Sequence, residues 1–402
     1  MAKAFVTTYI YDCELFFNSI DGTSTEILKD TIKYIIVEHD YRKAIMPVMY
    51  MKVNLVPSVY NKMVPEQGKS KLYLKLYRTR RKGSTSATAK KVIYDEFDYF
   101  MTDDPSGYKK LDTIGEEKGI AYKECFIGII KLDLQKQNQR SFESVYKNTN
   151  MVSLVQNATS HMKMIIQPFA NNEYFNYLVC PPVNTVGQFL AYLNTRKSFY
   201  NGSYTYYMDF DKTYLRSNDG SYIDAKDGDY KYIAFDIRDL TANQALTTGM
   251  VEDPNQDAYI IYVAARDAQI NVDRITSSLV SDIQAVDTKD GSTLQTAVVN
   301  TSYNTNIGTS GANVTHVSVD PNAATNMSTR IAENSNTMII TKVDMDSRVF
   351  TPNKQYLLCN YEDNPKYCGI YYMVSKKEIY LRNGAQMTCQ MTITFKKCAD
   401  FS

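Results

Sequence analysis

The sequence predicts a β-rich α+β fold. The first observation is an alternation near the C-terminus, within GIYYMVSKKEIYLRNGAQMTCQMTITFKKC (369–398). Met387, Cys389, Met391, Ile393 and Phe395 take one parity, and Gln386, Thr388, Gln390, Thr392, Thr394 and Lys396 take the other. Successive side chains of a strand point to opposite faces, so this stretch calls for one buried and one wet face. The second observation is composition: 33 Tyr and no Trp in 402 residues. Tyrosine suits half-buried sheet faces and interfaces, where the ring packs and the hydroxyl stays wet. The third is that helical spacing stands out within residues 141–225, between two strand-like regions.

Residues 1–140 read as a meander of strands. Apolar runs occupy 34–37 and 45–56, the second entered through Met46-Pro47, where proline suits a strand start. At 71–77, Leu72, Leu74 and Leu76 alternate with Lys71, Tyr73, Lys75 and Tyr77. Residues 126–134 alternate too, with Lys131 and Asp133 on the wet parity. The basic stretch 78–91 (RTRRKGSTSATAKK) is expected to be a mobile hairpin tip. Strands at this spacing, separated by turns, predict a β-barrel or sandwich.

Residues 141–225 change period. Met151, Leu154, Val155, Ala158 and Met162 form a helical stripe. A second helix is expected after Pro181-Pro182, opened by a Thr185/Gln188 capping box and presenting Val186, Phe189, Leu190 and Leu193 on one face. Strand-like pieces at 163–167 and 204–210 complete a small α+β module. Strand character returns from Tyr230. Residues 276–336 then turn rich in Ser, Thr, Asn, Ala and Asp, with Tyr303 the single aromatic between Tyr262 and Phe350. This reads as an exposed or partly mobile insertion. At the C-terminal end, the run 370–374, the pair Asn383-Gly384 and the alternating stretch from Gln386 predict a hairpin.

Charge calls for no polyanionic partner. Lys plus Arg total 45 and Asp plus Glu 44, a net of +1, so nothing favours nucleic acid or an anionic membrane. No window of eighteen apolar residues predicts a membrane span, and MAKAFVTTYIYDCE meets acids too early for a signal peptide. The seven cysteines (Cys13, Cys125, Cys180, Cys359, Cys368, Cys389, Cys398) lack metal-knuckle or redox spacing and read as reduced core residues of a protein made in a cytoplasm.

Chemistry is sparse. Gln67-Gly68-Lys69-Ser70 imitates the end of a phosphate loop, but the first glycine would fall at Met63, so it reads as a turn. His39, His161 and His316 have no ligand at metal spacing, and His161 reads as a cap or surface residue. Counting back from Gly228 puts Ile223 and Ala225 where a calcium loop needs acids, despite Asp224, Asp227 and Asp229. Asp209 and Asp211 are placed on the wet face of a strand, and Asp344 and Asp346 form another acidic pair. Asn-x-Ser/Thr triplets such as those at Asn157 and Asn201 carry little without a secretion signal. No catalytic, cofactor or metal site is assigned, and the chain reads as no enzyme.

Three stretches together resemble the tail hub (baseplate hub) proteins of tailed bacteriophages, relatives of the hub portion of type VI secretion spike proteins. They are YIIVEHDYRKAIMPVMYMKVNL (34–55), LVCPPVNTVGQFLAYLNTRKSFYNGSYTYYMDFDKTYLRSNDG (178–220) and the hairpin 369–398. The resemblance implies two tube-type β-barrel domains: 1–140, and 229–275 with 337–402. The α+β module 141–228 and the polar insertion 276–336 lie between them. It implies a homotrimer in the virion tail or baseplate, assembled in the host cytoplasm. Its ring of six barrels would join the tail tube ring to a spike or tip and contact neighbouring baseplate proteins. DNA would pass through the lumen without specific binding, along the Gln/Thr face of 386–396; Lys396 and Lys397 depart from that neutral pattern. Two rivals are a receptor-binding or adhesin tail protein, which would usually join a repetitive shaft not seen here, and a tail-borne carbohydrate-active enzyme using Asp209 and Asp211.

Overall fold

The computed structural model describes residues 9–41, 44–80, 90–102, 114–117, 120–200, 204–210, 212–217, 232–238, 249–253, 258–271, 280–287, 293–300, 312–316, 337–343, 350–352, 354–361 and 367–399. The fold is β-rich α+β. The first region holds β1 (Tyr9–Asn18), β2 (Ser24–Ile27), β3 (Ile32–Asp40), β4 (Val48–Leu55), β5 (Lys71–Arg80), β6 (Lys90–Thr102), β7 (Ile114–Glu117) and β8 (Ile120–Ile130). A short helix, α1 (Pro57–Met63), follows β4 with proline in its first turn, where the missing N–H costs nothing. Alternation sets the inward faces: Tyr11, Cys13, Leu15 and Phe17 of β1 and Leu72, Leu74 and Leu76 of β5 are all buried.

The strand expected at 126–134 stops at Ile130. The Leu132 amide donates to Asp98 Oδ2 at 3.2 Å, and the chain turns into α2 (Leu132–Asn138). Leu134 thereby joins the core of the next unit, so its parity was that of a helix. The basic tip 78–91 joins paired strands β5 and β6, and residues 81–89 of it lie outside the described residues.

The module adds β9 (Val145–Asn150), α3 (Met151–Thr159), β10 (Met164–Ile166), β11 (Tyr174–Val179), α4 (Val186–Arg196), β12 (Tyr204–Met208) and β13 (Thr213–Ser217). Its sheets are β9–β11 and β10–β13–β12. The predicted stripe Met151, Leu154, Val155, Ala158 and Met162 is buried with Phe189, Leu190 and Leu193 in a core separate from that of the barrel. Thr185 accepts the Gln188 amide at 3.1 Å, while Gln188 Oε1 reaches back to the Asn184 amide at 3.1 Å, one residue short of the expected reciprocal partner.

The remaining strands are β14 (Tyr232–Arg238), β15 (Gly249–Asp253), β16 (Ala258–Ala264), β17 (Ala268–Asn271), β18 (Val280–Asp287), β19 (Thr293–Asn300), β20 (Ala312–His316), β21 (Thr337–Val343), β22 (Gln355–Tyr361), β23 (Gly369–Asn383) and β24 (Gln386–Ala399). Within the polar insertion, β18–β19–β20 form their own antiparallel sheet. These strands lie in the stretch expected to be an exposed or partly mobile insertion; rich in Thr, Ala and Val, they carry no aromatic signal that would have announced them. Its other residues lie outside those described.

Pairing closes a ring of eight strands in the order β1, β5, β6, β8, β4, β3, β23, β24, with β24 returning to β1 at Tyr11↔Met387. From the same β23–β24 hairpin a second sheet runs outward, through β22, β14, β16 and β15 on one side and β21 and β17 on the other. Tyrosines are buried more deeply than their amphipathic character led us to expect: Tyr11, Tyr99, Tyr200, Tyr207, Tyr356, Tyr371 and Tyr380 are almost wholly enclosed. Their hydroxyls find partners inside, as a buried polar group must. Tyr99 donates to Met63 O at 2.7 Å, Tyr371 to Tyr367 O at 2.6 Å and Tyr200 to Gln167 O at 3.0 Å.

Candidate channel wall

The β23–β24 hairpin belongs to both halves of the large sheet. The base of β23 pairs with β22 up to Tyr372, and its outer part pairs with β3 from Ser375 to Leu381. The hand-over falls at a register shift between Met373 and Ser375. On β24 the base pairs with β21 (Thr337↔Lys396 to Val343↔Met391), and the tip meets β1. The turn is two residues, Gly384-Ala385, between the partners Asn383 and Gln386. Gly384 takes φ +63°, so the positive-φ position lies in the loop after Asn383.

Every residue on the predicted apolar parity of β24, Met387 through Phe395, is fully buried. At roughly 1.5–3 kcal/mol for each large apolar side chain enclosed, this row anchors the hairpin. The opposite row, Gln386, Thr388, Gln390, Thr392, Thr394 and Lys396, is exposed or half-buried. The sequence predicts a partner strand over 370–374, whereas β23 runs on to Asn383. The cause is Lys376 and Glu378, two charges on the inward parity. They neutralise each other at 2.8 Å, with Tyr380 donating to Glu378 Oε2 at 2.9 Å and Lys376 to Phe350 O at 3.4 Å. The signal that could have found this strand is the pairing of opposite charges two residues apart. Outward, Lys377 is neutralised by Glu38 of β3 at 2.5 Å.

The ring's other flank differs. Outside β1, β5 and β6 lie ion pairs Lys29–Asp12 at 3.2 Å, Lys75–Glu14 at 3.1 Å and Lys71–Asp98 at 2.6 Å, with Lys131 on Asp95. Both flanks are therefore close to locally neutral, but the hairpin flank reaches that state largely with amides and hydroxyls.

The other candidate residues do not converge. Met63 is buried in α1, Gly68 sits in the following turn at φ +71°, and the Ser70 and Tyr99 hydroxyls lie 2.8 Å apart. Exposed His161 lies 2.7 Å from Gln137 O in the last turn of α2, a capping position. His316 lies on β20. Asp209 is corrected: it stands in the turn joining β12 to β13, where its amide donates to Lys212 O at 2.7 Å, and its carboxylate approaches buried His39 at 3.9 Å. The turn is tight enough that strand alternation no longer applies there. Asp211, Asp224, Asp227, Asp229, Asp344, Asp346 and Asn201 lie outside the described residues. Cys13, Cys125, Cys180 and Cys389 are buried thiols and Cys368 is half-buried. Burial pushes the Cys13 thiol up to about 11, the opposite of what a nucleophile needs. Among the described residues no group of three or more His, Cys, Asp or Glu is placed to hold a metal ion. None of the described helices is long and apolar enough to cross a membrane.

A family model described as the Bacteriophage PBS1 gene 109 protein matches residues 1–398. The chain belongs to that family. No functionally curated protein matches the sequence. Among solved structures, the chain is similar to a tail protein from Neisseria meningitidis MC58 at 10% identity and TM-score 0.51, covering 97% of each chain. It is similar to the 43 kDa tail protein of prophage MuSo2 from Shewanella oneidensis at 12% identity and TM-score 0.50, covering 96% of this chain and 98% of that one. At such identities the likeness is one of fold, and it agrees with the tail hub resemblance carried by the sequence.

Proposed function

We propose that this family member is a structural, non-enzymatic tail hub. Three copies would form a pseudo-hexameric ring joining the tail tube to the central spike or tip. The observation that carries the reading is the shared hairpin, which sets a closed eight-stranded ring beside a second sheet within one chain. Three such chains supply six barrel-like units, the number needed to match a six-fold tube with a three-fold spike. On this reading residues 1–140 and 229–275 with 337–402 are the two barrel domains, 141–228 the module between them and 276–336 a projecting insertion. The tip of the hairpin then serves the first domain.

The Gln/Thr row from Gln386 to Thr394 would face the lumen. Its side chains hydrogen-bond to water and carry no charge to hold a passing phosphate backbone. Its contacts are with the tube ring, the spike and neighbouring baseplate proteins, and assembly takes place in the host cytoplasm. The test is absolute mass by light scattering on the purified chain, with negative-stain averages of the same sample and of intact virions. Three-fold rings with a central channel are the expected result. A compact globule or fibre with no channel in either preparation would overturn it.

A further inference from the structure

The hub reading leaves one feature unused: a buried polar cluster where β3, the β23 hand-over and the module meet. His39 of β3 is enclosed, and its Nδ1 lies 3.1 Å from the Tyr207 hydroxyl on β12. Tyr41 stacks on His39, and Tyr207 lies edge-on to Tyr41 at 4.5 Å between ring centres. Phe210, in the turn after β12, meets His39 edge-on. The module backbone is tied to the same corner, since the Met208 amide donates to Ile45 O at 2.7 Å and the Thr205 hydroxyl to Tyr41 O at 3.2 Å.

Charged groups face the imidazole from each side. Opposite it on β23 is Lys376, paired with Glu378. From the β12–β13 turn comes Asp209, 3.9 Å from Nδ1. Beyond Tyr214 on β13, buried Arg216 donates to Met373 O at 3.4 Å. Asp40 follows His39 on β3 and acts electrostatically on Tyr207. Adding a proton to His39 places a second cation opposite Lys376. The carboxylate near the same Nδ1 is Asp209, which flanks the Tyr207 contact.

We propose that His39 is an acid-sensitive clasp between the module and the first ring. When neutral it holds Tyr207 and keeps β12–β13 seated on β3. When protonated, Nδ1 carries a hydrogen and no longer accepts from the Tyr207 hydroxyl, Asp209 competes with Tyr207 for that hydrogen, and the module loosens without either core unfolding. The neutral imidazole is the favoured form inside: burial, then the Lys376 ammonium, hold its pKa well below the usual 6.5. A base depressed on folding contributes its stabilisation above the unfolded pKa and loses it as pH falls below about 6.5.

The experiment is hydrogen exchange on the full chain between pH 7.5 and 5.5, corrected for intrinsic rates, comparing wild type with His39→Phe and His39→Gln. In the wild type, β12–β13 should open more readily as pH falls, by up to about tenfold per unit, while α3 and α4 stay protected. Both variants should flatten that slope, whatever their absolute stability. An unchanged slope in a folded variant would overturn the clasp, as would equal protection of β12–β13 at both pH values in the wild type. If one variant fails to fold, the other and the wild-type profile still decide.

Discussion

The two cores of this protein are built in opposite ways. The module's core draws on residues close in sequence, from Leu134 to Leu215, with two amphipathic helices supplying its centre. The ring's core joins Tyr11 and Leu15 on β1 to Tyr380 and Met387 on the hairpin, so its central contacts span nearly the whole chain. Local burial makes a unit that can respond alone. Burial shared through one hairpin makes two sheets that succeed or fail together.

Breaking the shared element should have the largest effect. Phe395 packs edge-on to Phe235 and Tyr356, both at 4.9 Å between ring centres, so Phe395→Ala should cost about 3–5 kcal/mol. Hydrogen exchange should show protection lost in β1 as well as in β14 and β22; loss confined to the second sheet would separate the two halves. Leu190→Ala, at a fully buried position of α4, should cost about 2–5 kcal/mol. Its exchange footprint should stay within the module, and spreading into β1 or β5 would erase the contrast between the two cores. Gly384→Ala is the mildest. Beyond its chain neighbours, no atom lies within 4 Å of the added Cβ, so the cost is the left-handed backbone alone, about 1–2 kcal/mol of unfolding free energy, measured by denaturant titration.

Much of this was legible in the sequence where one physical rule acted undisturbed. The α3 stripe, the Thr185 cap and the parity of β24 could be read because burial and spacing agreed. Reading failed where tertiary partners overruled the local pattern. Lys376 and Glu378 disguise a strand because each is the other's counter-ion. Residues 131–134 imitate a strand because Asp98 and the module core claim them. His39 gave no signal, since its partners Tyr207 and Asp209 are roughly 170 residues away along the chain. The β24 row was visible as an alternating pattern, but only pairing reveals that its hairpin serves two sheets.

The Tyr11↔Met387 pairing sets a schedule for biosynthesis. β1 leaves the ribosome early, yet the strand that closes its ring is translated on the order of half a minute later, at about 5–20 residues per second. Until then the nascent ring has unsatisfied edges, and nearby ribosomes on the same message would hold several such chains side by side. The module, complete long before, can fold as it emerges and keep part of each unfinished chain out of its neighbours' reach.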